Sequence, residues 1–135
     1  ANLVGNGQGN DRFALVIYDS GSGKFIGLDL ALFTGTGQTY TVAAWTNTTT
    51  FSTSYSSAAL GTATFPSSPQ SKYGLRVVTD STNTTYYFSL NGGTWNQLFQ
   101  HSKNTFLTPD SVGFGVGAFD ANIIMQVDSF KITQP

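Results

Sequence analysis

Seven aspartates, at 11, 19, 29, 80, 110, 120 and 128, are the only side-chain carboxylic acids, and no two stand closer than eight residues. Glutamate and cysteine are both absent. Glycoside hydrolysis with retention needs two carboxyls about 5 Å apart, one as nucleophile and one as acid. Only a pair assembled by the fold, for example Asp29 with Asp80, would meet that need. Without cysteine there is no disulfide, no thiol nucleophile and no thiolate metal site. The single histidine, His101, has no His, Cys or Glu at metal-ligand spacing and reads as a polar residue at a strand end. Ser20-Gly21-Ser22-Gly23-Lys24 imitates the end of a phosphate-binding loop. Tyr18 stands where its opening glycine belongs, however, and Phe25 where Ser or Thr belongs. Gly5-Asn6-Gly7-Gln8-Gly9 is a glycine-rich terminal segment and no dinucleotide fingerprint, and there is no G-x-S-x-G.

Binding chemistry fares better. Sugars present C–H patches on their ring faces and hydroxyls at their edges, and an aromatic face flanked by Asn, Gln, Asp or Arg complements both. Trp45, Tyr87, Arg76 and Asp29 are the candidates. Each falls on the side of its segment opposite the apolar residues. Aspartate is also poor in strands, so Asp29 amid leucines suggests a partner, for which Arg76 is the expected cation.

The elements that must position these residues are strands. No sustained i, i+3, i+4 apolar pattern occurs, whereas period-2 segments recur between Gly, Asn and Ser clusters. The alternation predicts strands over 12–19, 24–33, 39–47, a weaker Ser/Thr-rich 51–65, 73–80, 84–91, 95–101, 111–119 and 123–133. Ile26, Leu28, Leu30 and Leu32 share one face, with Phe25, Gly27, Asp29, Ala31 and Phe33 on the other. Tyr40, Val42 and Ala44 oppose Thr41, Ala43 and Trp45. Tyr73, Leu75 and Val77 oppose Arg76. Tyr86, Phe88 and Leu90 oppose Thr85, Tyr87 and Ser89. Val112, Phe114 and Val116 oppose Gly113, Gly115 and Gly117, which would leave a shallow floor beside the platform. Val127 and Phe130 share a face only with a bulge at Asp128-Ser129. The expected core unites Val112, Phe114, Val116, Phe130 and Ile132. Residues 89–95 read as an Asn-Gly hairpin turn.

The 135 residues suit one domain with no linker and no internal repeat, residues 1–135 forming a single two-sheet antiparallel β-sandwich. Charged residues are 10% of the chain and the formal charge is -1, so no basic footprint for nucleic acid exists. Ser, Thr, Asn and Gln supply over a third of the residues. Such a low-charge, hydrogen-bonding surface suits an extracellular, cell-surface or virion protein. No apolar run approaches the roughly 20 residues of a membrane-spanning helix. The chain opens on Ala1 and reads as a module or fragment of a longer protein.

The stretches YGLRVVTDSTNTTYYFSLNGGTWNQLFQ, TPDSVGFGVGAF and VDSFKIT resemble the second half of a concanavalin A-like (laminin G-like, glucanase-like) jelly roll over residues 73–133. The resemblance implies a jelly-roll sandwich in which Trp95 is packed. It also implies a structural calcium held in part by Asp128. The laminarinase-like members carry Glu-x-Asp-x-x-Glu along one strand, and that signature is missing here. The expectation is a non-catalytic carbohydrate-binding or receptor-binding module whose partner is a glycan or cell-surface receptor. The alternative is a structural or adhesive subunit of a filament, capsid or surface layer that self-associates through its sheet edges.

Overall fold

A computed structural model describes residues 2–4, 11–33, 37–59, 72–90, 92–117 and 124–133. Among them the chain is all-β with no helix. The strands are β1 (Asn2–Val4), β2 (Asp11–Tyr18), β3 (Phe25–Phe33), β4 (Gly37–Asn47), β5 (Thr50–Ala59), β6 (Tyr73–Thr79), β7 (Asn83–Leu90), β8 (Asn96–Ser102), β9 (Ser111–Gly117) and β10 (Ile124–Gln126). β2 to β9 coincide with the expected segments to within a few residues. Within 51–65 and 111–119, residues 60–65 and 118–119 lie outside the described residues. The three-residue β1 was not anticipated.

Two antiparallel sheets form the sandwich. The larger has the order β5-β4-β3-β2-β9 and the smaller β6-β7-β8, while β1 pairs separately with β10. β8 lies against β4 and β5, and β6 against β2 and β3. Alternation drives this stacking, because each strand turns one apolar row toward the other sheet. Ile17, Ile26, Leu28, Val42 and Ala44 meet Tyr86 and Leu107 in one buried cluster, and Phe13, Leu30, Tyr40 and Tyr73 form a second. The Tyr40 hydroxyl donates to the Ser89 carbonyl (3.2 Å) and ties the sheets at that end. Register shifts on both sides of the pairing help to fill the other end. One in β8 lets adjacent Leu98 and Phe99 both pack on the core, and one in β5 turns Tyr55 onto Phe99, stacked at 5.3 Å.

The hairpins explain three of the seven aspartates. Asp19 Oδ1 accepts the Gly21 and Ser22 N–H groups in the β2–β3 turn, where Gly23 takes φ +75°. Asp80 Oδ1 accepts the Thr82 and Asn83 N–H groups in the β6–β7 turn. Asp110 accepts from Ser20 and so ties the β8–β9 connection to the β2–β3 turn. Hydrogen bonds to the charged form hold all three carboxyls below their ordinary range. The β7–β8 connection turns through Gly92 at φ +73°, with Gly93 N–H donating to the Leu90 carbonyl, as the Asn-Gly reading requires.

One side of the sandwich departs from expectation. Val112, Phe114 and Val116 do point toward the smaller sheet, opposite Ile17, Leu15 and Phe13 in the ladder. They are not buried with Phe130 and Ile132: Phe114 is 45% exposed and Ile132 62%. The reason is width. β6 lies over β2 and β3, so β9, beyond β2, projects past the edge of the three-stranded sheet. The expected strand 123–133 runs in a ladder only at Ile124–Gln126, and the chain bends at Asp128 instead of forming a bulge within a strand. Phe130 nonetheless meets Phe114 edge-on at 4.7 Å. A cleft of about 900 Å³ remains between β6, β9 and residues 127–133.

His101 has a packing role. Its Nδ1 lies 2.8 Å from the Ser102 carbonyl, which assigns the ring proton to Nδ1 and leaves Nε2 to accept from the Tyr86 hydroxyl at 2.9 Å. Burial pushes that hydroxyl well above its ordinary range, so it stays a donor. Replacing His101 by alanine is expected to cost about 1–3 kcal/mol, the penalty of an orphaned buried hydroxyl. Urea unfolding checks this, and coincident curves would mean that water replaces the imidazole.

Candidate functional site

The larger sheet places four rows of residues across its outer face. Ladder registers align Gly113, Val16, Gly27 and Ala43; then Gly115, Ala14, Asp29 and Thr41; then Gly117, Arg12, Ala31 and Thr39. The fourth row is aromatic: Tyr18, Phe25, Trp45 and Phe51. Small side chains thus floor a shallow trough, and rings wall one end. A groove of about 420 Å³ lies there, lined by Arg12, Ala14, Phe25, Asp29, Trp45 and Gly115 among others.

Trp45 is held on three sides. Phe25 stacks on it with ring centres 5.9 Å apart and planes 4° off parallel, and Phe51 meets it edge-on at 5.4 Å. The guanidinium of Arg12 stands 5.4 Å from its ring centre. The same Arg12 donates from Nη1 to Asp29 Oδ2 at 3.1 Å. Arg12 therefore joins the aromatic wall to the acid. The Asp29 side chain leans over Gly27, where any Cβ would collide with Oδ1, so glycine is required beside it.

Asp29 is 1% exposed. Desolvation pushes its carboxyl up to about 6, against the opposing pull of the Arg12 charge and hydrogen bond. Thr41, paired with Asp29 in the ladder, lies close enough to favour the ionised carboxyl. Its buried Oγ1 nevertheless lacks a hydrogen-bond partner of good geometry. The groove thus offers an aromatic wall and a guanidinium backed by a buried carboxyl.

The four residues expected to share one surface do not. Trp45 and Asp29 stand on the outer face of the larger sheet, whereas Arg76 and Tyr87 stand on the outer face of the smaller, on the opposite side of the core. The partner of Asp29 is Arg12, not Arg76. Arg12 and Phe25 were missed, although the signal was present. A turn at Ser20–Gly23 pairs Tyr18 with Phe25, and counting back from there puts Arg12 diagonal to Asp29 on one face. Asp29 and Asp80 are not brought together, since Asp80 serves its own turn while Arg12 and Thr41 surround Asp29. Trp95 is not buried in the core: it lies on the outer face of the smaller sheet, 42% exposed.

Asp128 is exposed at the bend before the final described segment. No group of three or more His, Cys, Asp or Glu side chains able to hold a metal occurs among the described residues. No family model, no curated protein and no solved structure matches the chain.

Proposed function

We propose that this chain is a non-catalytic carbohydrate-binding or receptor-binding module of concanavalin A-like jelly-roll type, displayed outside the cell or on a virion, and that it takes a saccharide in the Trp45 groove. The observation that carries this reading is the joint presence of Trp45, Arg12 and Asp29 around a glycine and alanine floor on the outer face of the larger sheet. A pyranose laid on the trough places ring C–H groups toward Trp45 and Phe25. Its hydroxyls then reach donors on Arg12, whose guanidinium the buried Asp29 carboxylate holds in place. Among the described lining residues Asp29 is the only carboxylate, whereas a retaining hydrolase uses two.

Replacing Trp45 by alanine is expected to reduce saccharide affinity about tenfold or more. The same change should lower stability by about 2 kcal/mol, the share of a half-buried indole, while unfolding stays cooperative. Binding isotherms and thermal melts on this one variant decide the matter. A folded variant that binds as the parent does would remove the groove from the account.

The structural or adhesive reading has one observation in its favour. Val112, Phe114 and Val116 leave an apolar rim exposed along β9 beside the β6 edge of the smaller sheet. It requires self-association without sugar, so a monomeric mass in solution would set it aside.

A further inference from the structure

The outer face of the smaller sheet has a different chemistry from the groove. Trp95 lies over Gly74, where an added Cβ would meet ring atoms Cη2 and Cζ3 at 2.9 and 3.3 Å. Only glycine on β6 lets that indole settle against the sheet. Two residues further on, Arg76 holds its guanidinium 5.9 Å from the Trp95 ring centre and 5.8 Å from that of Tyr87. Tyr87 stands between Arg76 and Gln97 in the ladder, so aromatic, cation and amide form one row.

Charge separates this face from the groove. Arg12 is met by the buried Asp29 carboxylate. Among the described residues no carboxylate lies within ion-pair distance of Arg76, and the nearest acid along β6, Asp80, is engaged by turn N–H groups. Asp128 and Lys131 both line the cleft beside β6. An exposed indole beside the Arg76 guanidinium thus forms a cationic aromatic surface on a chain whose net charge is -1.

We infer that this face is a second platform, taking an acidic saccharide that carries uronate or sulfate groups. Ring C–H groups stack on Trp95, and the planar guanidinium of Arg76 engages the anionic group in bidentate fashion. The inference goes beyond the groove and does not depend on it. With both platforms occupied, one module grips two strands of glycan from opposite sides.

The test is retention of the full chain on immobilised polygalacturonate, with a neutral glucan and inorganic polyphosphate as comparison probes. Arg76→Gln and Trp95→Ala are each expected to weaken polygalacturonate binding about tenfold or more, and added salt should weaken it in the parent. Trp45→Ala should leave it unchanged, so loss of the groove and loss of this face read out separately. Trp95→Phe keeps a ring over Gly74 and should retain most of the binding. Failure of the parent to bind polygalacturonate at low salt would overturn the inference. Unchanged binding by Arg76→Gln would do the same, as would equal retention on polyphosphate, which would reduce the face to a general anion surface.

Discussion

Replacing Arg12 by alanine is expected to cost about 3–5 kcal/mol near neutral pH, because it leaves a buried carboxylate without its counter-charge. Asp29 is nearly inaccessible, and even beside Arg12 its carboxyl titrates at about 6. Its folded-state value thus lies above the roughly 3.9 of an unfolded chain. Charged Asp29 therefore counts against the folded state above pH 6, and that cost fades as pH falls from about 6 toward about 4. For the parent, two units of separation correspond to roughly 3 kcal/mol recovered on acidification. The lowered carboxyls of Asp19, Asp80 and Asp110 act the other way, but only as pH falls further. In the Arg12→Ala chain the carboxyl moves higher still, so the deficit should be greatest near neutrality and shrink in mild acid. Asp29→Asn should flatten the parent's slope over that window, and the double variant should lose less than the two single losses added. Denaturant unfolding at two pH values measures this. A deficit equal at both would assign Arg12's contribution to packing on Trp45 instead of to charge.

Tyr86→Ala is expected to remove about 3–5 kcal/mol, a large part of the roughly 5–15 kcal/mol that holds a domain together. Tyr86 is the one fully buried side chain that the smaller sheet contributes to the cluster with Ile17, Ile26, Leu28, Val42 and Ala44. It also packs near Phe99 and His101. Truncation opens a hole at the contact between sheets, while Tyr86→Phe removes only a hydroxyl and should cost about 1 kcal/mol. Unfolding curves for the two variants should separate widely. A Tyr86→Ala loss below that of Tyr86→Phe would mean the sheets do not share this core.

Most strands were legible because alternation is a local signal. Ile26, Leu28 and Leu30 point inward and Asp29 outward as their parity requires, and β3 ends at Phe33 as read. Strand adjacency is not local. Asp29 was matched with Arg76, the cation on another outward-facing row, when the hairpin register delivers Arg12. Tyr87 and Trp45 both oppose core residues, yet parity does not say which sheet a strand joins, and they sit on opposite faces. Bulges were equally hidden. Leu98 and Phe99 break alternation, and only their shifted pairing with β7 shows how both reach the core. Residues 127–133 carry the apolar alternation of a closing strand, but the Asp128-Ser129 interruption is met by a bend, leaving Phe114 and Ile132 exposed. Trp95 follows the same lesson: the flanking turn was readable, while its position over Gly74 depends on β6 lying alongside.

The chain has two tryptophans, one on each outer face of the sandwich, so their indole N–H resonances report on the two faces separately. Titrating an isotope-labelled sample with a panel of neutral oligosaccharides and following those two signals is the most direct measurement of the groove. The Trp45 indole should shift saturably with at least one neutral sugar, while the Trp95 indole stays in place. A panel that moves neither signal, or moves only Trp95, would contradict a saccharide site built on Trp45, Arg12 and Asp29.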